Sequence, residues 1–396
     1  MKNLLFLVHR IPYPPNKGDK IRSYHLLRYL ADEYRIFLGT FVDNSEDWRY
    51  VKDVQSFCAE SCFLPLDPQW AKLRSLRGFF RGQALSLPYY HDSRMQNWVH
   101  RVVDLHGIDT VLVFSSAMTQ FIDARRFTTK VIDFVDVDSD KWLQYAKGKP
   151  WPGSWIYRRE GRLLLEFDRQ VANDFDVSIF VSSLEAKLFK GLVPEVGERI
   201  THIDNGVDTQ YFSPEHDVIN PYPEDEVPLV FTGAMDYWAN VDAVTWFARE
   251  VFPRIYNQFS NSRFYIVGGN PSEAVRNLSR LEGVTVTGTV EDVRPFIKYG
   301  RVSVAPLRIA RGIQNKVLEA MAMGKPILAT SAAMEGIRIS SILQITVTDS
   351  AKDMAENGLE LLNGNRLQRV YEKNREWVID HYSWGKNMEK LGRHLQ

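Results

Sequence analysis

The segment Gly312-Ile313-Gln314-Asn315-Lys316-Val317-Leu318-Glu319-Ala320-Met321-Ala322-Met323-Gly324-Lys325-Pro326 decides how the rest of the chain is read. Before it, Val302 to Ala305 is a short apolar run closed by Pro306, the pattern of a buried strand stopping at a turn. Gln314 to Met323 follows as a helix, with Leu318, Met321 and Ala322 spaced for one buried side and Gly324-Lys325-Pro326 as its stop. Ile327 to Ala329 is a second strand, which completes a βαβ unit. A helix start in such a unit has unpaired N–H groups and the positive end of the macrodipole, so it attracts phosphate. Lys316 falls in the first turn and Glu319 three residues on, so the two side chains share a face. A cation for a diphosphate and a carboxylate for the hydroxyls of a ribose are what a sugar nucleotide requires. The same pattern also fits an amphipathic helix whose Lys and Glu pair at the surface.

In its order of Gly312, Lys316, Glu319, Ala320-Met321-Ala322, Gly324 and Pro326, the segment resembles the donor-site signature of family 4 glycosyltransferases of the GT-B fold. The resemblance implies an α/β chain of two doubly wound, Rossmann-like domains facing across a cleft, with a C-terminal helix crossing back to the first domain. It places the nucleotide diphosphate and ribose of a donor on Gly312, Ile313, Gln314, Asn315, Lys316 and Glu319. The family usually carries two glutamates here, and Arg311 stands where the first would be. That glutamate commonly contacts the transferred sugar, so the nucleotide grip is kept while the sugar is left open. Arg308 and Arg311 either offer charge to phosphate or face solvent.

The chain has 396 residues, 44% of them hydrophobic and 12% aromatic, enough for two cores of similar size. Lys plus Arg equals Asp plus Glu at 49 each, so no overall field recruits nucleic acid. Cys58 and Cys62 are too few for a disulfide framework or a cysteine zinc site, and suggest a reducing compartment. The apolar stretch Leu4 to Val8 is too short for a membrane span and reads as a first strand. The expectation is a cytoplasmic protein, soluble or held at the cytoplasmic face of the inner membrane.

Asn3 to Val8, a loop with Pro12, Pro14 and Pro15, a helix opened by Gly18-Asp19 and the strand Tyr34 to Phe41 form another βαβ unit. Ile21, Tyr24, Leu27 and Leu30 are the expected buried face of its helix. The family resemblance assigns Gly18 to donor contact and Arg22 to the acceptor side; an ordinary turn glycine is the alternative for Gly18. Trp70 to His106 is basic, with Leu73, Leu76, Phe79 and Phe80 between the charges. That segment fits either an amphipathic element on an anionic membrane or a docking helix with a solvated face.

Asp133 to Asp140 is an acidic run after the strand Lys130 to Val135. Asp136, Asp138 and Asp140 suit a divalent metal, and Asp138 with Ser139 suits a helix cap. In the family this strand end faces the acceptor, which makes Asp136 the group that orients or deprotonates the attacking hydroxyl. Asp136 and Lys316 are the expected catalytic pair, with no metal assigned.

Ser182-Ser183-Leu184-Glu185 starts a helix, and residues 213–228, with four prolines and three consecutive acids, read as a linker. The expected domains are 1–212 with 383–396, and 229–382. In the second, Gly233 ends a strand where the family commonly places a basic residue next; here it is Ala234, and Val241 to Phe259 reads as the helix that follows. The loop around Val290 resembles the segment whose main chain reads the base. Pro306 to Gly312 resembles the exopolysaccharide branch associated with PEP-CTERM protein sorting.

These readings together describe a glycosyltransferase moving a sugar from a UDP- or GDP-linked donor to a glycan or lipid-linked acceptor. The resemblance implies retention at the anomeric carbon, without a required metal and without a cofactor beyond the donor. A sugar-nucleotide epimerase and a non-catalytic sugar-nucleotide binding protein are the alternatives.

Overall fold

The computed structural model describes residues 1–395 except Asn16, Arg311, Ile339, Gln344 and 364–369. Arg311, at the position that bears on sugar choice, therefore lies outside the described residues. The chain divides into two compact units, Met1–Asp204 with Asn387–Gln396, and Asn205–Lys386.

The first unit contains seven strands, β1 (Lys2–Val8), β2 (Tyr34–Val42), β3 (Glu60–Pro65), β4 (Thr110–Phe114), β5 (Thr129–Val135), β6 (Val177–Phe180) and β7 (Ile200–His202). They pair in parallel in the order β3-β2-β1-β4-β5-β6-β7. The second unit repeats that order with β8 (Val227–Thr232), β9 (Ser262–Val267), β10 (Val284–Gly288), β11 (Val302–Ala305), β12 (Ile327–Ala329) and β13 (Ile345–Val347), paired as β10-β9-β8-β11-β12-β13. Central strands are buried on both faces, which is why β1, β4 and β8 read as apolar runs rather than alternating ones. Strand order reverses between β1 and β4 and again between β8 and β11, and ligands in such sheets bind outside the strand ends at that reversal.

Two elements differ from the sequence reading. β3 is absent from it, because Glu60-Ser61-Cys62-Phe63-Leu64-Pro65 is a half-buried edge strand with neither alternation nor a continuous apolar run. The long helix expected from Val241 to Phe259 is instead an α-helix, Trp238–Trp246, a π-helical turn, Phe247–Val251, and a short helix, Phe252–Tyr256. Pro253, which has no N–H to donate, sits just after the π turn.

Residues 205–228 belong to the second unit. Tyr222 is buried beside Val230, Tyr265 and Val267, and its hydroxyl donates to the Phe296 carbonyl at 2.7 Å, so the proline-rich stretch is fastened to the domain it precedes. The end of the C-terminal helix (Trp384–Leu395) packs on the first unit. There the Tyr34 hydroxyl donates to the Leu395 carbonyl and Asn387 donates to the Asp204 carbonyl.

Candidate functional site

In the second unit the strand reversal brings together the end of β8 and the loop that runs from β11 into the helix Asn315–Ala322. Gly312 has φ 70°, the left-handed region glycine enters at low cost, and the helix starts three residues after the turn it makes. Ile313 is buried and anchors the loop, while the Gln314 amide folds back to the Gly312 carbonyl at 3.1 Å. Gln314 occupies the N-cap position without a side-chain hydrogen bond to the first turn, so that turn keeps amide donors for an external anion. Asn315 holds a buried side-chain oxygen with no partner among the described residues.

Lys316 does not make a simple surface pair. Its Nζ donates to Asn240 Oδ1 at 2.6 Å and lies 4.5 Å from the centre of the Phe231 ring on β8. The other end of the Asn240 amide donates to the Ala234 carbonyl at 2.8 Å, so one side chain ties the β8 turn to the Lys316 helix. A side chain at Gly233 would sit 2.8 Å from Asn240 Nδ2 and 3.4 Å from Lys316 Nζ, so the space between them requires glycine. Burial lowers the Lys316 ammonium to about 8 despite the attraction of Glu319, and raises the Glu319 carboxyl to about 7 despite the attraction of Lys316. Among the described residues no donor is bonded to the Glu319 carboxylate, which leaves it an acceptor for ligand hydroxyls.

Close to Glu319 lie groups the sequence did not single out. Arg294 stacks 4.1 Å from the centre of the Tyr211 ring and is paired with Asp292 at 2.7 Å. Burial, then the Asp292 carboxylate and, more weakly, Glu319 raise the Tyr211 hydroxyl above its ordinary value. Val290 packs against the cluster around Tyr222, so its side chain is turned into the protein.

Gly268, at the end of β9, has φ 154°, and a Cβ there would lie 1.7 Å from the Gly233 carbonyl oxygen. Gly268→Ala is therefore expected to displace the β8 turn and with it Asn240. A melting scan checks it, with a fall in Tm and loss of any nucleotide-induced stabilisation as the outcome.

Arg308 sits elsewhere than expected. It is exposed and donates to both carboxylate oxygens of Asp242, at 3.0 Å from Nε, and lies 5.8 Å from the Trp246 ring centre. Asp242 is two residues beyond Asn240, about 200° further round the helix. Arg308 is thus spent on the side of that helix away from Lys316.

In the first unit the ends of β4 and β5 are strained. Ser115 has φ 77° and Val135 has φ 72°, the latter a conformation a β-branched residue rarely takes. The turn after Val135 is pinned by the Glu185 carboxylate, which accepts from the Val137 N–H at 2.7 Å. Ser182 caps the Ser183–Leu192 helix as expected, but Glu185 serves this turn rather than its own helix start. Asp136 is thereby fixed at the strand end, half-buried, and its carboxylate accepts from Lys141 Nζ at 2.7 Å. Asp138 accepts from the same ammonium at 3.1 Å and Asp140 from Gln144, so the acidic run is satisfied by its own helix. Burial opposes the Lys141 charge, but Asp138 and Asp136 outweigh it and raise the ammonium above its usual value.

Arg22 is a correction. It is 1% exposed; its Nε donates to Asp133 Oδ2 at 2.7 Å and another of its nitrogens to the Ile203 carbonyl at 2.8 Å. It faces the core with Leu26 and Leu30, at i, i+4 and i+8, so a buried ion pair joins the first helix to the ends of β5 and β7. A side chain so placed is structural rather than in contact with an acceptor. Gly18 is exposed at the helix start, and a Cβ there would meet nothing within 4 Å, so no packing within the protein demands glycine.

Beside it, the His9 ring is stacked on Phe114 and lies 3.4 Å from Asp19, which also bonds Arg10 at 2.7 Å. Burial opposes the Asp19 charge, but the bond from His9 and the Arg10 guanidinium hold the carboxyl well below the ordinary range.

Residues 226–364 match the family model described as glycosyl transferases group 1. No curated protein matches the chain. Among solved structures it is similar to sucrose-phosphate synthase from Thermosynechococcus elongatus, with TM-score 0.70 at 16% identity over 99% of this chain and 98% of that one. It is similar to WaaG, a glycosyltransferase involved in lipopolysaccharide biosynthesis, with TM-score 0.68 at 15% identity over 98% of this chain and 99% of that one. It is also similar to HepE from Anabaena in complex with UDP-glucose, with TM-score 0.63 at 13% identity over 100% and 99%. The chain therefore has the GT-B fold of two Rossmann-like domains, and its second unit carries the match to glycosyl transferases group 1.

Proposed function

We propose that this protein is a family 4 glycosyltransferase that takes a sugar from a UDP- or GDP-linked donor. The observation that carries the reading is the Lys316–Asn240 contact at the strand reversal, with an uncapped helix start on one side and the Glu319 carboxylate on the other. The donor diphosphate lies against the first-turn amides and Lys316, and the ribose hydroxyls donate to Glu319. As the glycosidic bond breaks, negative charge grows on the departing diphosphate, where those donors are already aimed; this differential stabilisation lowers the barrier. Lys316 and the helix start supply that charge without a required metal. Transfer proceeds with retention. HepE in complex with UDP-glucose supports the donor class.

Asp136 serves the acceptor hydroxyl, with Lys141 holding its carboxylate in place. Asp136→Asn is expected to lower kcat by about 10²–10⁴-fold with little change in Tm, measured by initial rates beside a melting curve.

The acceptor is a glycan or a lipid-linked glycan of exopolysaccharide synthesis in a PEP-CTERM system, reached at the cytoplasmic face of the inner membrane. Only part of 70–106 suits contact with anionic lipid. The helix Ser93–His106 buries Met95, Trp98, Val99, Val102 and Val103 in the core, and Arg74, Arg94 and Arg101 are engaged by protein acceptors. Between 68 and 81, Trp70 is 71% and Phe80 92% exposed, alongside Lys72, Arg77 and Arg81. Trp70→Ser with Phe80→Ser is expected to abolish co-sedimentation with phosphatidylglycerol vesicles; unchanged co-sedimentation would remove this surface from the proposal. No helix of the described residues is long and apolar enough to cross a membrane.

The test is turnover on a panel of UDP- and GDP-sugars, with and without a glycan acceptor. Nucleotide release that depends on the acceptor supports transfer. Epimerised donor in the absence of acceptor would make the protein an epimerase, and binding without turnover a receptor.

A further inference from the structure

The helix that points Asn240 at Lys316 carries a different set of side chains around its other side. Trp238, Asp242, Thr245, Trp246, Arg249 and Glu250 line an open groove of about 690 Å³, to which Asp236 and Arg308 also contribute. From Trp238 to Glu250 the groove follows about 18 Å of helix at about 1.5 Å per residue. The π turn Phe247–Val251 inserts its extra residue where Arg249 and Glu250 line the groove, and such turns are frequent at functional sites.

The lining is chemically selective. Trp238 is 47% exposed, and Trp246 is the second aromatic ring of the lining. Three carboxylates, of Asp236, Asp242 and Glu250, stand against the guanidiniums of Arg249 and Arg308, and Asp242 and Arg308 already satisfy each other. An anionic polymer finds no net positive charge there. Aliphatic side chains are limited to Val241 and Ala274, too few for an acyl chain or for the apolar stripe of a docking helix. Exposed aromatic faces beside carboxylates and a guanidinium suit a ligand with apolar C–H faces and a dense rim of hydroxyls.

We propose that this groove binds a neutral oligosaccharide, stacking a sugar ring on Trp238 and bonding its hydroxyls to Asp236, Arg249 and Glu250. It is a site separate from the nucleotide site, since Asn240 and Asp242 point about 200° apart on their helix.

Native affinity electrophoresis through gels containing dextran, galactomannan or hydroxyethylcellulose tests it, with the melting shift induced by UDP followed in parallel. At least one polymer is expected to retard the protein, and Trp238→Ala to raise the dissociation constant tenfold or more while the UDP shift stays as in the parent. Asp236→Asn with Glu250→Gln, both on exposed side chains, is expected to weaken retardation in the same way. Failure of all three polymers to retard the parent protein would overturn the proposal. So would parental migration of the carboxamide variant, which decides the matter if Trp238→Ala proves unstable. Lys316→Met should lose the UDP shift and keep polymer retardation, so the donor site and the groove fail separately.

Discussion

Lys316→Met is expected to weaken UDP or GDP binding by roughly 10- to 100-fold, the loss of a charged hydrogen-bond donor worth about 1.5–3 kcal/mol. Titration calorimetry measures it directly. Methionine keeps the apolar stem over Phe231, so packing is largely preserved and the effect reads the charge. The same substitution should leave the ligand-free protein as stable as its parent, or more so.

The folded Lys316 value of about 8 lies below its ordinary 10.5, so between those values the unfolded chain binds more protons and stability rises with pH. The folded Glu319 value of about 7 lies above its ordinary 4.5, so between those values the folded chain binds more protons and stability falls as pH rises. This pair's contribution to stability is therefore lowest near pH 7–8, where both groups can carry charge and donor affinity is greatest. Above about 8 the ammonium deprotonates, and donor affinity of the parent protein should decline while that of Lys316→Met stays flat.

Arg22→Ala is expected to cost about 3–5 kcal/mol, because it leaves the Asp133 carboxylate in the core without its counter-charge. For a unit of this size that is a fall in Tm of roughly 6–20 °C. Arg22→Lys should recover little, since one ammonium does not reproduce a fork bonded to both Asp133 and the Ile203 carbonyl. Arg22→Met with Asp133→Leu should recover much of the loss, because apolar side chains of similar volume replace a buried pair at small net cost. A contact made only to an acceptor would give the opposite pattern, with Tm unchanged and KM raised.

The architecture was legible because central parallel strands are continuous apolar runs. Val302–Ala305 and Ile327–Ala329 fall within the boundaries their sequences suggest. Edge strand β3 was not legible, having no buried face to impose a pattern. Lys316 and Glu319 could be placed on one helix face by spacing alone, but Asn240, 76 residues away, could not be paired with Lys316 from sequence. Its only local signal was an asparagine at a helix start after a strand-ending glycine. Arg22 was misread because a charged residue on an amphipathic helix is ordinarily exposed, and its partner Asp133 lies 111 residues along the chain. Arg308 illustrates the converse, a loop cation near the site in sequence but claimed by Asp242 in space.

A crystal structure of the protein with UDP tests the central claim most directly. The predicted result is a diphosphate at the start of the Asn315–Ala322 helix, within hydrogen-bond distance of Lys316 Nζ, with the ribose hydroxyls on Glu319. UDP bound away from Lys316 and Glu319 would contradict it.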